Sequence, residues 1–312
     1  SMVKEIKELD LIIIGGGPAG LTAAIYAGRA KLNTLLLENK ILGGQVRNSF
    51  TIENYPGFKS IQGGKLADLF QEQAAEFGAV IDEFDLIEKI DLSEEEKVIE
   101  TETFIYKPKA VIIATGAIPR KLPIKGEKNF AGKGIHYCAV CDGAMYEGKN
   151  IAVVGGGNAA LEEALFLTKF AEKVYLIRRY NYFKGEQSVI DEVFNHPKIE
   201  VLLNEDVIEA KGQDFLNSVV LKNTLDGIIS ELKVDAIFGY IGTEPKTEEV
   251  KKYLNLNEQG YIITNEDMET NIKGVYAAGD VREKKYRQIT TAVSDGTIAL
   301  LNAEKYILER KK

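Results

Sequence analysis

Residues 9–38 read LDLIIIGGGPAGLTAAIYAGRAKLNTLLLE, and the fold turns on how this stretch is understood. Leu11 to Ile14 form a short apolar run suited to a strand buried on both faces. Gly15, Gly17 and Gly20 follow in a G-x-G-x-x-G spacing. Leu21, Ala24, Ile25 and Gly28 then recur at helical intervals, with small residues that permit close packing on a sheet. Thr34 to Leu37 predict a second strand, ended by Glu38. The physical logic is a tight turn whose glycines let the backbone approach a pyrophosphate at a helix N-terminus. Glu38 is then placed to accept hydrogen bonds from a ribose. The glycines alone are a weak signal, since an ordinary glycine-rich turn also joins strands to helices. Strand, turn, helix, second strand and terminal acid in that order are a strong one.

The unit returns at residues 150–179, NIAVVGGGNAALEEALFLTKFAEKVYLIRR. Gly155, Gly157 and Ala160 give the G-x-G-x-x-A variant after a predicted strand, Ile151 to Val154. Glu38 and Arg178 occupy equivalent places, each 23 residues after the first glycine of its copy, and Arg179 follows the second. An acid there suits a free ribose 2′-OH, whereas arginines suit a 2′-phosphate through charge-assisted, bidentate hydrogen bonds. The first copy is therefore expected to take an adenosine dinucleotide without a 2′-phosphate, and the second NADPH. The bland alternative for Arg178 and Arg179 is a solvated strand end. Glu162 and Glu163, early in the second helix, read as structural residues favouring the positive end of its dipole. Two such sites in one chain point to a flavoprotein that takes hydride from a nicotinamide, with the cofactors supplying the hard chemistry.

The bulk composition sets the frame. A chain of 312 residues exceeds the usual size of one core, so two domains are expected. Lys+Arg number 39 against Asp+Glu 47, a net charge of −8 that argues against a nucleic-acid binder. No apolar run reaches the roughly 18 residues that span a bilayer. The opening SMVKEIKELD lacks the apolar stretch of a signal peptide. A cytoplasmic setting follows as the expectation, where a disulfide tends to be catalytic rather than structural.

Both cysteines lie in GIHYCAVCDG, as Cys138 and Cys141. Their spacing alone fits half a metal site, a structural staple or a redox centre. A structural zinc site needs about four ligands, and the only histidines are His136 and His196, the latter in a predicted loop without ligand-type spacing. No metal is expected. A staple closing so short a loop would stabilise little. A redox pair uses the proximity directly: one thiolate attacks an external disulfide and its neighbour resolves the mixed intermediate. Asp142 is the natural acid/base for the departing thiolate, although Asp-Gly is also ordinary turn chemistry. His136 is read as a loop histidine without a catalytic role.

With these residues in view, the chain closely resembles the bacterial-type, low-molecular-weight thioredoxin reductases over essentially its whole length. GGGPAG, LLLE, GGQ, ENYPGF, VIIATGAIPR, YCAVCDG, GGGNAALEEALFL, YIGTEP, VYAAGDV and RQITTAVSDG occur in that family's order. The resemblance implies an α/β chain of two Rossmann-like (three-layer ββα) nucleotide-binding domains, one inserted into the other. It places an FAD-binding domain at 1–116 and 245–312 and an NADPH-binding domain with the CxxC centre at 117–244, crossing near Gly116 and Gly242. It further implies a homodimer, an inserted domain that rotates during turnover, and thioredoxin or a thioredoxin-like dithiol protein as partner. By the same resemblance Gly15, Gly17, Gly20 and Glu38 hold the ADP half of FAD. Gln45 and Asn54 lie beside the flavin, Gly279 and Asp280 at its ribityl and phosphate region, and Arg287, Gln288 and Ile289, with Ala292 behind, near the ring. Gly155, Gly157, Ala160, Arg178, Arg179 and Lys184 hold NADPH; Cys141 faces the flavin and Cys138 exchanges with the partner.

The second nucleotide motif departs from the family's pattern. Ile177 stands where a histidine is usual, and Lys184 replaces a later arginine, losing the planar fork that grips phosphate. A ferredoxin-dependent or other-donor flavin reductase is the alternative this raises. A reductase for a different dithiol partner, and a non-catalytic dinucleotide-sensing or metal-binding module, are the remaining rivals.

Overall fold

The computed structural model describes residues 3–49 and 52–311. The chain forms two compact units, Ser1–Ile118 with Glu244–Lys312, and Pro119–Thr243. Each is taken by itself.

The first unit opens with β1 (Glu5–Ile14), α1 (Pro18–Arg29) and β2 (Thr34–Leu37). Then come α2 (Gly63–Glu76), β3 (Val80–Asp82), β4 (Ile87–Leu92), β5 (Lys97–Thr101), β6 (Phe104–Ile113) and β7 (Ala117–Pro119). The apolar run 11–14 is longer as a strand than its sequence suggested, since β1 begins at Glu5; only its second half is buried throughout. The reason for a continuous rather than alternating run is visible in the packing. Leu11 and Ile13 join a cluster with α1, α2 and the C-terminal helix, whereas Ile12 and Ile14 join one with β4 and β5. The strand order is β3-β2-β1-β6-β5-β4, with β1 parallel to both β2 and β6.

The second unit contains α3 (Glu127–Phe130), β8 (Ile135–His136), α4 (Ala139–Asp142), β9 (Asn150–Gly155), α5 (Asn158–Leu167), β10 (Lys173–Arg178), α6 (Gln187–Asn195) and β11 (Ile199–Leu203). It continues with β12 (Glu205–Gly212), β13 (Leu216–Asn223), β14 (Ile229–Lys233) and β15 (Ala236–Tyr240). A parallel sheet in the order β11-β10-β9-β15-β8 is accompanied by an antiparallel sheet β12-β13-β14. Ile151 and Val153 of β9 pack towards α5, and Ala152 towards the antiparallel sheet. This is the three-layer ββα arrangement: helices, parallel sheet, antiparallel sheet.

The chain leaves this unit through β16 (Thr243–Pro245), which pairs with β7. Gly116 and Gly242 flank this ribbon with φ of 71° and 111°, backbone conformations open to glycine. In the first unit β17 (Val275–Ala277) then adds to β6 in parallel, and α7 (Ile289–Arg310) completes the helical layer.

Candidate active site

The dithiol segment is built by short elements of the second unit. β8 ends at His136, Cys138 is the N-cap of α4, and Cys141 lies in its single turn. Cys138 and Cys141 form a disulfide, with Cα atoms 5.3 Å apart. The Cys138 sulfur accepts from the Cys141 N–H at 3.1 Å, and the Cys138 carbonyl from the Asp142 N–H at 3.1 Å. Cys138 is half-buried and Cys141 exposed. Two longer-range contacts hold this turn. Ala139 N–H donates to the Tyr240 hydroxyl at 2.9 Å, across 101 residues of sequence. Gly143 lies so close to α5 that a Cβ there would sit 2.8 Å from Leu167 Cδ2.

His136 is not in a loop. It ends β8, is 4% exposed, and stacks on Phe238 with ring centroids 5.3 Å apart. Its Nδ1 lies 3.3 Å from Asp142 Oδ2 and its Nε2 2.6 Å from the Tyr146 hydroxyl. Burial holds the imidazole below its ordinary value of 6.5, against the opposing pull of the Asp142 carboxylate. Burial likewise pushes the Tyr146 hydroxyl up, with Asp142 and Asp235 adding to it.

The glycine turn of this unit lies at the β9–α5 junction. Gly155 packs so tightly that a Cβ would meet Ala160 Cβ at 2.8 Å, which explains why a small residue serves at that third position. The Arg178 guanidinium folds over Gly156, donates from Nε to Tyr182 O at 2.8 Å, and lies 4.9 and 5.3 Å from the Tyr180 and Tyr182 ring centres. Arg179 forks onto Asp206, with both N···O distances 3.2 Å. Lys184 N–H donates to Gly156 O at 2.7 Å, which draws its loop onto the turn. Arg178, Lys184, Gly155, Gly157 and Ala160 are thus brought together, while Arg179 is turned to Asp206. Glu163 departs from its expected reading as a dipole-favouring charge. Its Oε2 is shielded without a hydrogen-bond partner, and burial, aided by Glu162, pushes the carboxyl up to about 8.

In the first unit the turn Gly15–Gly17 is closed by Glu38, whose Oε1 accepts from Gly16 N–H at 3.1 Å. At Gly20 a Cβ would strike the Gly15 carbonyl, so the third glycine is required by packing. Asn54 Nδ2 reaches Gln288 Oε1 at 3.3 Å, joining ENYPGF to RQIT across 234 residues. Gln45 Oε1 accepts from Asn48 at 3.0 Å. Gln288 and Ile289 also make a helix start: Gln288 is the N-cap of α7 in a capping box with Thr291. Arg287 donates from Nε to Asp280 O at 3.3 Å and lies 3.9 Å from the Tyr261 ring centre. Gly279, at φ 84°, donates to Asp295 at 3.0 Å. Ala292 is buried.

Asp280 Oδ1 is buried without a protein partner, and burial raises this carboxyl, with Lys284 and Arg287 opposing and Asp295 adding to the rise. An orphaned buried acceptor beside a glycine turn fits a hydroxyl-bearing ligand. Among the described residues no three His, Cys, Asp or Glu side chains cluster as a metal centre would require, and no helix is long and apolar enough to cross a membrane.

Two glycine turns of dinucleotide type, in separate units, together with a Cys-x-x-Cys disulfide followed directly by an aspartate define an oxidoreductase of the flavin disulfide reductase class. Comparison with known proteins agrees with the geometry. Residues 9–296 match the pyridine nucleotide-disulphide oxidoreductase family. A 34.2 kDa protein in the rubredoxin operon of Clostridium pasteurianum is 55% identical over 98% of this chain and 99% of its own. The thioredoxin reductase of Bacillus subtilis is 44% identical over 98% of this chain and 97% of its own. The crystal structure of Lactococcus lactis thioredoxin reductase (FR conformation) superimposes with a TM-score of 0.94 at 41% identity, covering 96% of this chain and 99% of that one. The chain belongs to the pyridine nucleotide-disulphide oxidoreductase family, among its bacterial thioredoxin reductases. Membership implies a flavin and a pyridine nucleotide.

Tyr146, Tyr240 and Asp206, and the burial of His136, escaped the sequence reading. Ala139 and Tyr240, or Arg179 and Asp206, are neighbours only through the sheet, and no local pattern marks them.

Proposed function

We propose that the chain is an NADPH-dependent, FAD-containing thioredoxin-disulfide reductase, acting as a cytoplasmic homodimer. Electrons would pass from NADPH through FAD and the Cys138/Cys141 pair to thioredoxin or a thioredoxin-like dithiol protein. The observation that carries this reading is the Cys138–Cys141 disulfide at the head of α4, within the unit that also bears the arginine-marked glycine turn. Residues 1–116 and 245–312 are assigned to FAD and 117–244 to NADPH. Gly15, Gly17, Gly20 and Glu38 hold the adenosine half of FAD, and Gln45, Asn54, Gly279, Asp280, Arg287, Gln288 and Ile289 flank the remainder. Gly155, Gly157, Ala160, Arg178, Arg179 and Lys184 hold NADPH. Bound, the flavin supplies two-electron transfer between nicotinamide and disulfide.

The chain's own part is thiol exchange. In the reduced pair, the Cys138 thiolate attacks one sulfur of the partner's disulfide, forming a mixed disulfide and expelling one partner thiolate. The Cys141 thiolate then attacks Cys138, re-forming the internal disulfide and expelling the second. Asp142, next to Cys141, carries the protons that the cysteines lose and the leaving thiolates gain.

Anaerobic titration with NADPH, NADH and reduced ferredoxin, followed through the flavin spectrum, tests the donor. NADPH is expected to reduce flavin and disulfide at substoichiometric amounts. Reduction by ferredoxin alone would instead favour the alternative that Ile177 and Lys184 raise. Cys138→Ser is expected to abolish thioredoxin reduction while leaving flavin reduction intact; unchanged turnover with thioredoxin would refute the exchange role.

A further inference from the structure

The sequence reading of the dithiol segment left His136 idle, and the proposed exchange does not use it. Its surroundings are nonetheless specific. Both ring nitrogens are engaged in a buried, stacked imidazole: Nδ1 with Asp142 Oδ2 at 3.3 Å, Nε2 with the Tyr146 hydroxyl at 2.6 Å. An ionised carboxylate only accepts hydrogen bonds. The pairing with Asp142 therefore puts the imidazole proton on Nδ1, and Nε2 accepts from Tyr146. The result is a directed chain: Tyr146 O–H to Nε2, and Nδ1–H to Asp142 Oδ2. Phe238 and the strand end fix the ring at the back.

We propose that His136 is a positioning residue for Asp142, its Nδ1–H holding Oδ2 so that the carboxylate that directly follows Cys141 is fixed in orientation. This rests on reading Asp142 as the acid/base of the dithiol. The step it serves balances simply. A cysteine thiol gives its proton to the Asp142 carboxylate, and the resulting thiolate attacks an electrophile while its leaving group departs with the bonding pair. Without the Nδ1–H donor the carboxylate loses its fixed direction and takes the thiol proton less readily, so the thiolate forms more slowly at low pH. Two buried hydroxyls complete the electrostatic setting. Tyr146, on the turn after α4, feels Asp142 and Asp235, and Tyr240, on β15, feels Glu163 and Asp142. Burial pushes both hydroxyls up, so they remain neutral donors.

The test uses the full-length protein with its native flavin, reduced by dithiothreitol and desalted anaerobically. The rate of alkylation by iodoacetamide is then measured against pH. His136→Phe, which keeps a ring for stacking, is expected to move the acid limb upward by about one pH unit. The rate would fall about tenfold at pH 6 and little at pH 9. His136→Asn, whose side-chain amide donates from a place close to Nδ1, is expected to recover most of the loss. In an Asp142→Asn background His136→Phe should have no further effect. A wild-type profile for His136→Phe overturns the proposal. So does an equal loss with and without the Asp142 carboxylate, because a space-filling role persists in both. The readout needs no nicotinamide, ferredoxin or partner protein. A shifted alkylation profile in a chain that reduces no dithiol partner sinks the proposed function alone. An unshifted profile in a chain that turns over sinks this inference alone.

Discussion

Glu163 and Arg179 are both ionisable side chains whose surroundings alter what their sequence motif implies. The folded chain raises the Glu163 carboxyl from 4.5 to about 8, so its ionisation opposes folding. The contribution is favourable below about pH 4.5 and is lost as pH rises towards 8. Glu163→Gln should therefore stabilise the protein at pH 8, on the order of 2 to 4 kcal/mol, and change little at pH 4.5. Denaturant melts at the two pH values check this, and equal effects at both would contradict it. If the second turn takes NADPH as proposed, Arg179 would turn from Asp206 towards the 2′-phosphate, whereas Arg178 is already held over the turn by Tyr182. Arg178→Ala is expected to raise the KM for NADPH about tenfold and that for NADH little. Asp206→Asn is expected to strengthen NADPH selection; steady-state kinetics with both nucleotides decides it. The identities of these side chains were legible as sequence motifs. Their partners were not, because Asp206 and Tyr182 reach them through sheet and loop geometry rather than through spacing.

The two glycine turns were the most legible elements, since strand burial, backbone approach and helix packing each constrain residue type over a few consecutive positions. Leu11–Ile14 and Ile151–Val154 alternate between two packed layers, which is why both read as unbroken apolar runs. The helix crossing between α1 and α7 was not legible. Gly296 lies mid-helix, where a glycine looks merely unfavourable, yet a Cβ there would strike the backbone of Ala19. Gly296→Val should force the two helices apart and cost about 1 to 3 kcal/mol or more. Thermal melts of the flavin-bound and flavin-free protein measure it, and a neutral result would show that the crossing can relax. The disulfide turn lies between these cases. Its CxxC was plain, but α4 is a single turn held by Tyr240, Tyr146 and α5, all supplied from outside the motif.

At the scale of the whole molecule, the described residues of each unit form their own hydrophobic clusters, two in each. Ligand binding should accordingly be felt unit by unit. In hydrogen exchange, FAD added to flavin-depleted protein is expected to protect the Gly15 turn and the Gly279–Val281 segment most. NADPH should protect the Gly155 turn and the loop 179–186. The reverse pattern would exchange the two assignments. Where the chain crosses was suggested by glycines near residues 116 and 242, but the pairing of β7 with β16 there had no sequence signature. That arrangement also bears on how the protein is made. Pro119–Thr243 is one continuous stretch and can close its sheet as soon as it leaves the ribosome. The other unit must wait, because its sheet is finished by β17 and its helical layer by α7, both made after the inserted unit. During synthesis the inserted unit therefore matures before its host. Until β17 is made, the edge of β6 at Val111–Ile113 lacks its partner strand.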